Sequence, residues 1–294
     1  MISLLVASND AGGAEILSAW IKLHHDQFDI TYWLTGPALG VFERKLATLR
    51  HYQNGLDGIS AFDQVITTTS WSTDHEKNVI KKARQLNIPV FTYLDHWMDF
   101  KQRFQLKDEI VLPDELWVGD IYAENLAKLE FPERKIMLVP NLYMQELVNV
   151  IKEASRVVTH TQHRILYVTE PTSVVALARY GHKDFFGYTE FSALDDFLVY
   201  IDKQAIEYEI IRIRLHPSEP AGKYDHYLKN DHFCIELSNG SSLIDDCAWS
   251  DWVVGCQSMA MAIAVNAGKN VISCLPDGVA SALPYPEIKK IFQS

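Results

Sequence analysis

Residues 209–220 read EIIRIRLHPSEP. The first seven form an isoleucine-rich run of strand length, as expected of a strand covered on both faces of a sheet. The run closes on His216, and Pro217 stops the ladder by removing a backbone donor. A core strand that ends on a ring able to donate and accept hydrogen bonds has two readings. It enters a loop at the edge of a sheet, or it meets a ligand at the carboxyl end of a parallel sheet, where open α/β sheets bind ligands.

The flanking sequence favours the parallel sheet. Toward the amino terminus, apolar runs of strand length alternate with amphipathic stretches of helix length. SLLVAS (3–8) precedes GGAEILSAWIKLHH (12–25), DITYWL (29–34) precedes PALGVFERKLATL (37–49), and DQVITTT (63–69) precedes TDHEKNVIKKARQLN (73–87). PVFTYLD, ELWVGD with the helix IYAENLAKLE, and KIMLVP continue the series to residue 140. After the helical MQELVNVIKEASRVV and the polar THTQH (159–163), the alternation restarts at RILYVTE and runs to NVISCLP (270–276). Repeated strand–helix–strand units predict parallel sheets with helices on both sides. The expected fold is α/β, with two Rossmann-like domains, 1–160 and 161–294, joined near His160 and facing each other across a cleft.

The bulk composition sets limits. The chain has 294 residues, 48% hydrophobic and 22% charged, with a formal net charge of -11. That charge argues against binding duplex nucleic acid and against a polybasic membrane anchor. No transmembrane segment or signal peptide is read, so a cytoplasmic protein is expected, with peripheral membrane contact left open. The four cysteines, Cys234, Cys247, Cys256 and Cys274, form no CxxC and read as reduced core thiols. No metal site is expected. Oligomeric state has no signature in the sequence.

The carboxyl ends of the strands nominate the candidate site. After the first strand come Asn9, Asp10, Gly12 and Gly13, a turn that lets backbone approach a ligand and opens a helix whose start favours an anion. Asp10 is either the cap of that helix or a catalytic carboxylate. Asp95, His96, Trp97 and Arg103 follow PVFTYL; the carboxylate and imidazole suit acid–base chemistry, and the indole suits stacking on a sugar or base. Asp120 and Asn141 read as sites or as caps. In the second half, Glu170 ends one strand. His216, Pro217, Glu219 and Lys223 follow another, and Gln257 and Ser258 open an apolar helix. Ser258 offers a hydroxyl and helix-start N–H groups to a phosphate; His216 can bond phosphate or ribose, Glu219 a ribose hydroxyl, and Lys223 can add charge. Met259 and Met261 read as core. The acidic pair Asp245-Asp246 reads as a solvated helix face.

These residues carry a resemblance. Two Rossmann-like halves, a glycine turn after the first strand, and His216-Pro217 followed by Ser258 at a helix start are similar to GT-B-fold glycosyltransferases of bacterial surface-polysaccharide biosynthesis. The similarity is to sialyltransferases and the related Kdo- and polysialyl-transferases with an HP motif. YLDHW (93–97) also resembles segments of surface-polysaccharide proteins. The resemblance implies that His216 and Ser258 hold the nucleotide of a CMP-linked donor and that Asp10 is the base. No cofactor is implied, since the nucleotide sugar is the donor substrate and a glycan the acceptor. UDP-sugar 2-epimerases share the fold and can carry an HP pair. A metal-independent glycosyltransferase is therefore the leading expectation. The alternatives are an epimerase or hydrolase using Asp95, His96 and Glu170, or a non-catalytic relative that binds a nucleotide sugar.

Overall fold

The computed structural model describes residues 1–155, 162–229 and 232–292. Its contacts divide the chain into two units, Met1–Gln145 and Glu146–Ser294. The division falls inside one helix, whereas the join expected at His160 lies outside the described residues.

Unit 1 contains β1 (Ile2–Ser8), α1 (Ala11–His24), β2 (Phe28–Leu34), α2 (Gly36–Lys45), β3 (Gln64–Thr67), α3 (His75–Gln85) and β4 (Val90–Leu94). It continues through α4 (Phe100–Arg103), the hairpin strands β5 (Gln105–Leu106) and β6 (Glu109–Ile110), β7 (Glu115–Val118), α5 (Ile121–Glu130) and β8 (Lys135–Leu138). The helix α6 (Leu142–Ser155) begins in this unit and ends in the next. The main sheet has the order β2-β1-β3-β4-β7-β8, all pairs parallel. The continuous apolar run of β1 has the predicted cause. Leu4 and Val6 enter one core cluster with Leu17, Ile21 and Phe42, while Leu5 and Ala7 enter another with Val79, Ile80 and Leu116. A strand with cores on both faces needs apolar residues at every position.

Unit 2 contains β9 (His163–Val168), α7 (Thr172–Tyr180), α8 (Glu190–Lys203), β10 (Tyr208–Arg214), β11 (Ile235–Leu237), α9 (Leu243–Trp249), β12 (Trp252–Gly255), α10 (Met259–Asn266), β13 (Asn270–Ser273) and β14 (Lys289–Lys290). Its sheet has the order β11-β10-β9-β12-β13-β14, again all parallel. Ile165, Tyr167, Ile211, Ile213 and Val254 pack against Ala193, Leu194 and Phe197 of α8.

Each sheet has one point where the chain reverses its direction of travel. In unit 1 it lies between β1 and β3, in unit 2 between β9 and β12. At such a point the connections leave in opposite directions and open a crevice beyond the carboxyl ends of the strands. No helix among the described residues is long and apolar enough to cross a membrane.

Several local expectations change. Asp246, expected to face solvent, is fully buried under β10. Cys247, Cys256 and Cys274 are buried free thiols as expected, but Cys234 is exposed. Met261 is core, whereas Met259 is 38% exposed.

Candidate functional site

At the unit 1 reversal, Asp10 is held by a serine-rich turn that follows β3. Its Oδ1 accepts from Ser70 Oγ at 2.9 Å, Ser72 Oγ at 3.1 Å and Asn9 Nδ2 at 2.8 Å, and its Oδ2 accepts from the Trp71 backbone N–H at 3.1 Å. It stands at the N-cap position of α1 without making a side-chain cap bond, so the cap reading is set aside. Four donors fix the orientation of a carboxylate that remains partly exposed. The glycines serve close approach. A Cβ on Gly13 would lie 2.6 Å from the Thr68 side chain, and one on Gly12 would lie 2.9 Å from Asp95 Oδ2. Only glycine lets the first turn of α1 settle over the ends of β3 and β4.

Asp95, after β4, is paired. Its Oδ1 accepts from Arg103 Nη1 at 3.1 Å and Thr69 Oγ1 at 3.2 Å. Arg103 is 5% exposed and also donates to Thr69 Oγ1 and the Met98 carbonyl, so it braces the end of β4 from inside the fold. His96 Nδ1 accepts the Trp97 backbone N–H at 3.0 Å, which puts the proton of the neutral ring on Nε2. Burial, with Arg103 nearby, pushes the His96 pKa down. Trp97 turns its indole N–H to Asp120 Oδ2 at 2.8 Å and lines a pocket of about 220 Å³ with Met98, Phe100 and Leu126. Asp120 caps α5 through the Ala123 N–H, and Asn141 takes the Met144 N–H, so both act as caps.

Glu76 is a residue the sequence did not single out. Its Oε1 accepts the Asn9 N–H at 2.7 Å, tying α3 to the turn that carries Asp10, while the buried Oε2 has no hydrogen-bond partner among the described residues. Burial pushes its carboxyl up to about 7, against the backbone donors, and Asp10 adds to the rise. A folded-state pKa above the unfolded one means that the folded state binds the proton more tightly. Stability is therefore full below about 4.5 and is lost as pH rises toward 7, by up to about 3 kcal/mol. Urea unfolding at pH 5 and pH 8 should show Glu76→Gln losing about 2–3 kcal/mol less than the wild type over that interval. Equal losses would show that the buried carboxyl is not the cause.

At the unit 2 reversal, four segments converge. Gly255 makes this possible, because a Cβ there would lie 2.8 Å from the Val168 carbonyl. Glu170 Oε1 accepts the Gln257 backbone N–H at 2.7 Å, across 87 residues of sequence. Burial pushes its carboxyl up to about 7, while the N–H groups of Gln257, Cys256 and Ser258 favour the anion. Ser258 caps α10, its Oγ accepting from the Ala260 N–H at 3.2 Å. Gln257 Oε1 accepts the Ala282 N–H at 3.0 Å.

The HPSE turn beside them has an internal frame. Glu219 Oε2 accepts from Thr169 Oγ1 and, at 3.0 Å, from the His216 N–H; its Oε1 accepts from Lys223 Nζ at 2.7 Å and Tyr224 Oη at 2.9 Å. Lys223 also pairs with the buried Glu190. Burial pushes the Glu219 carboxyl up, but Lys223, Thr169, the His216 N–H and Tyr224 outweigh it and hold the carboxyl low. Glu219, expected to accept from a ribose hydroxyl, and Lys223, expected to add charge, bond one another and the turn. They position His216, which is exposed together with Pro217. His216 Nδ1 accepts the Ser218 N–H at 3.2 Å and pairs with Ser218 Oγ at 2.7 Å. The neutral ring then carries its proton on Nε2, as a donor turned away from the turn.

Among the described residues, no group of three or more His, Cys, Asp or Glu side chains is placed to hold a metal ion. Two Rossmann-like parallel-sheet domains in one chain are the architecture of GT-B-fold proteins. Solved structures of that kind match nearly the whole chain. UDP-GlcNAc 2-epimerase from Neisseria meningitidis, bound to UDP-GlcNAc, is 14% identical with a TM-score of 0.60, over 95% of this chain and 84% of its own. MurG from Acinetobacter baumannii is 12% identical with a TM-score of 0.58, over 95% and 80%. A UDP-glucosyltransferase from Polygonum tinctorium is 9% identical with a TM-score of 0.53, over 94% and 80%. At these identities the likeness establishes the fold. No family model matches the sequence, and no curated protein matches it.

Proposed function

We propose that this chain is an enzyme acting on a nucleotide sugar, with the nucleotide at the carboxyl ends of β9, β10 and β12. One observation carries the reading. At the carboxyl edge of the unit 2 sheet, an exposed His216 follows β10 on a turn held by Thr169 and Glu219, while Glu170 after the adjacent β9 bonds the Gln257 N–H just ahead of α10. Imidazole N–H and helix-start amides are the donors that a phosphate calls for. Structural neighbours of both kinds, transferase and epimerase, carry UDP or a UDP-sugar in their names. A UDP-sugar is accordingly the first donor to test, with the CMP-linked acidic sugar second.

The leading reaction is transfer to an acceptor hydroxyl in surface-glycan synthesis, in the cytoplasm. Asp10 takes the hydroxyl proton, and the hydroxyl oxygen attacks the anomeric carbon as the bond to the nucleotide phosphate breaks. His216 and the amides of α10 stabilise the departing phosphate, the kind of electrostatic help that carries much of catalysis. A second reading, epimerisation at the sugar, is favoured by a second carboxylate, Asp95, and the imidazole of its neighbour His96, which follow β4 on the same sheet edge as Asp10. It needs no acceptor, so product analysis without acceptor separates the two.

The test is thermal stability with UDP, UMP, CMP, CDP and GDP, beside His216→Ala. The turn keeps its main-chain bonds to Thr169 and Glu219 in that variant. UDP at a hundred times its dissociation constant should stabilise the wild type by about 2.7 kcal/mol, and the variant much less. A shift with CMP alone would move the donor to the acidic-sugar class. No shift with any nucleotide would overturn the reading.

A further inference from the structure

Glu170 holds the amide just ahead of α10, where the proposed function puts a nucleotide phosphate. Its Oε1 already holds the Gln257 N–H at 2.7 Å, one residue before the N-cap of α10, and the Cys256 and Ser258 amides also favour its negative charge. Two anions cannot share these donors without repulsion. We propose that Glu170 is the internal competitor for this anion site, so that a nucleotide phosphate enters only as Glu170 takes up a proton. The proposal rests on the nucleotide reading above and adds to it a selectivity against phosphate at high pH.

The surroundings leave Glu170 as the group that changes. Glu219, from the segment after β10, faces it as a permanent anion paired with Lys223. Tyr167 on β9, Tyr188 ahead of α8, Cys256 after β12 and Cys274 after β13 also face it. Burial pushes all four upward, so they stay neutral through the working range. The Glu170 carboxyl, raised to about 7, crosses between its two forms there. When protonated it gives up its claim on the amides and can donate to a phosphate oxygen. When ionised it repels one.

Glu170→Gln is neutral at every pH and keeps an oxygen for the Gln257 N–H, which makes it the informative variant. Binding of UDP and of uridine is measured by calorimetry from pH 6 to pH 9 for both proteins. Because the variant shares the ionisation of UDP and of His216, the ratio of the two affinities isolates Glu170. The wild type should weaken for UDP about tenfold per pH unit above 7 relative to the variant, with uridine equal in both. Parallel pH profiles for UDP would overturn the Glu170 proposal and leave the nucleotide reading standing. UDP binding to neither protein would overturn both. Should the variant fail to fold, wild-type calorimetry at pH 8 in two buffers of different ionisation enthalpy serves instead. About one proton taken up per UDP supports the proposal, and none contradicts it.

Discussion

Asp246→Ala should cost unit 2 about 3–5 kcal/mol, a large share of the stability of an ordinary domain. The carboxylate has no exposed surface. Oδ1 accepts from Arg212 Nη1 at 3.1 Å and Ser241 Oγ at 2.6 Å; Oδ2 accepts from Arg214 Nη1 at 2.7 Å and Ser238 Oγ at 2.5 Å. Burial pushes this carboxyl up, but the two serines and two arginines outweigh it and hold it below the usual range. Removing the carboxylate takes a charged partner from two guanidinium groups and an acceptor from two hydroxyls at once, leaving them Glu236, the Ser241 carbonyl and one another. The arginines keep a quarter or less of their surface in water, at 20% and 25%, which moves the expected cost toward the lower end of the range. Arg212 also keeps Glu236 and the face of Trp249, 3.6 Å away. Because Arg214 precedes His216 by two residues, nucleotide affinity should fall in the same variant. Urea unfolding of the variant beside the neighbouring Asp245→Ala, which loses a capping box alone, checks the figure. Similar losses of about 1 kcal/mol in both would show that the buried network contributes little.

The largest effect on activity is expected at Asp10. If its carboxylate takes the acceptor proton, Asp10→Asn should lower kcat by roughly two to four orders of magnitude and leave UDP affinity unchanged. The change is mild for the fold. The amide oxygen can still face the Trp71 N–H, and the new NH2 can donate to the Ser70 and Ser72 hydroxyls, which accept as readily as they donate. The costs fall at Asn9 Nδ2, a donor then facing a donor, and at the Ser70 hydroxyl, which already accepts from the Ser72 and Thr73 N–H groups. Single-turnover rates with a UDP-sugar, alongside nucleotide affinity, separate chemistry from binding. A variant with full turnover would reduce Asp10 to an anchor of the serine turn.

The strands were legible because parallel sheets demand it: β1 must satisfy two cores, so every residue from Leu4 to Ala7 is apolar. The helix α7 was not read. Its Val174, Leu177 and Tyr180 lie in solvent, so its apolar residues do not report a buried stripe. At the site, the residue types at strand ends were readable, but their partnerships were not. Asp10 meets Ser70 and Ser72 sixty residues on, and Glu170 meets Gln257 across 87. The run TTTSWST (67–73) was the available signal for the first. Three of the four donors to Glu219, from His216, Lys223 and Tyr224, lie within five residues of it, and only Thr169 reaches it from a distant segment. Asp245 and Asp246 show the same limit in one step. One residue along a helix turns the side chain by about 100°, from a solvent-facing cap to a buried ion pair.

The most direct measurement is hydrogen exchange of the whole chain with and without UDP. The proposed function predicts slowed exchange at the amides of Glu170, His216 and residues 256–260, with the rest of unit 2 little changed. Slowing confined to residues 1–145, or no slowing at saturating UDP, would contradict it.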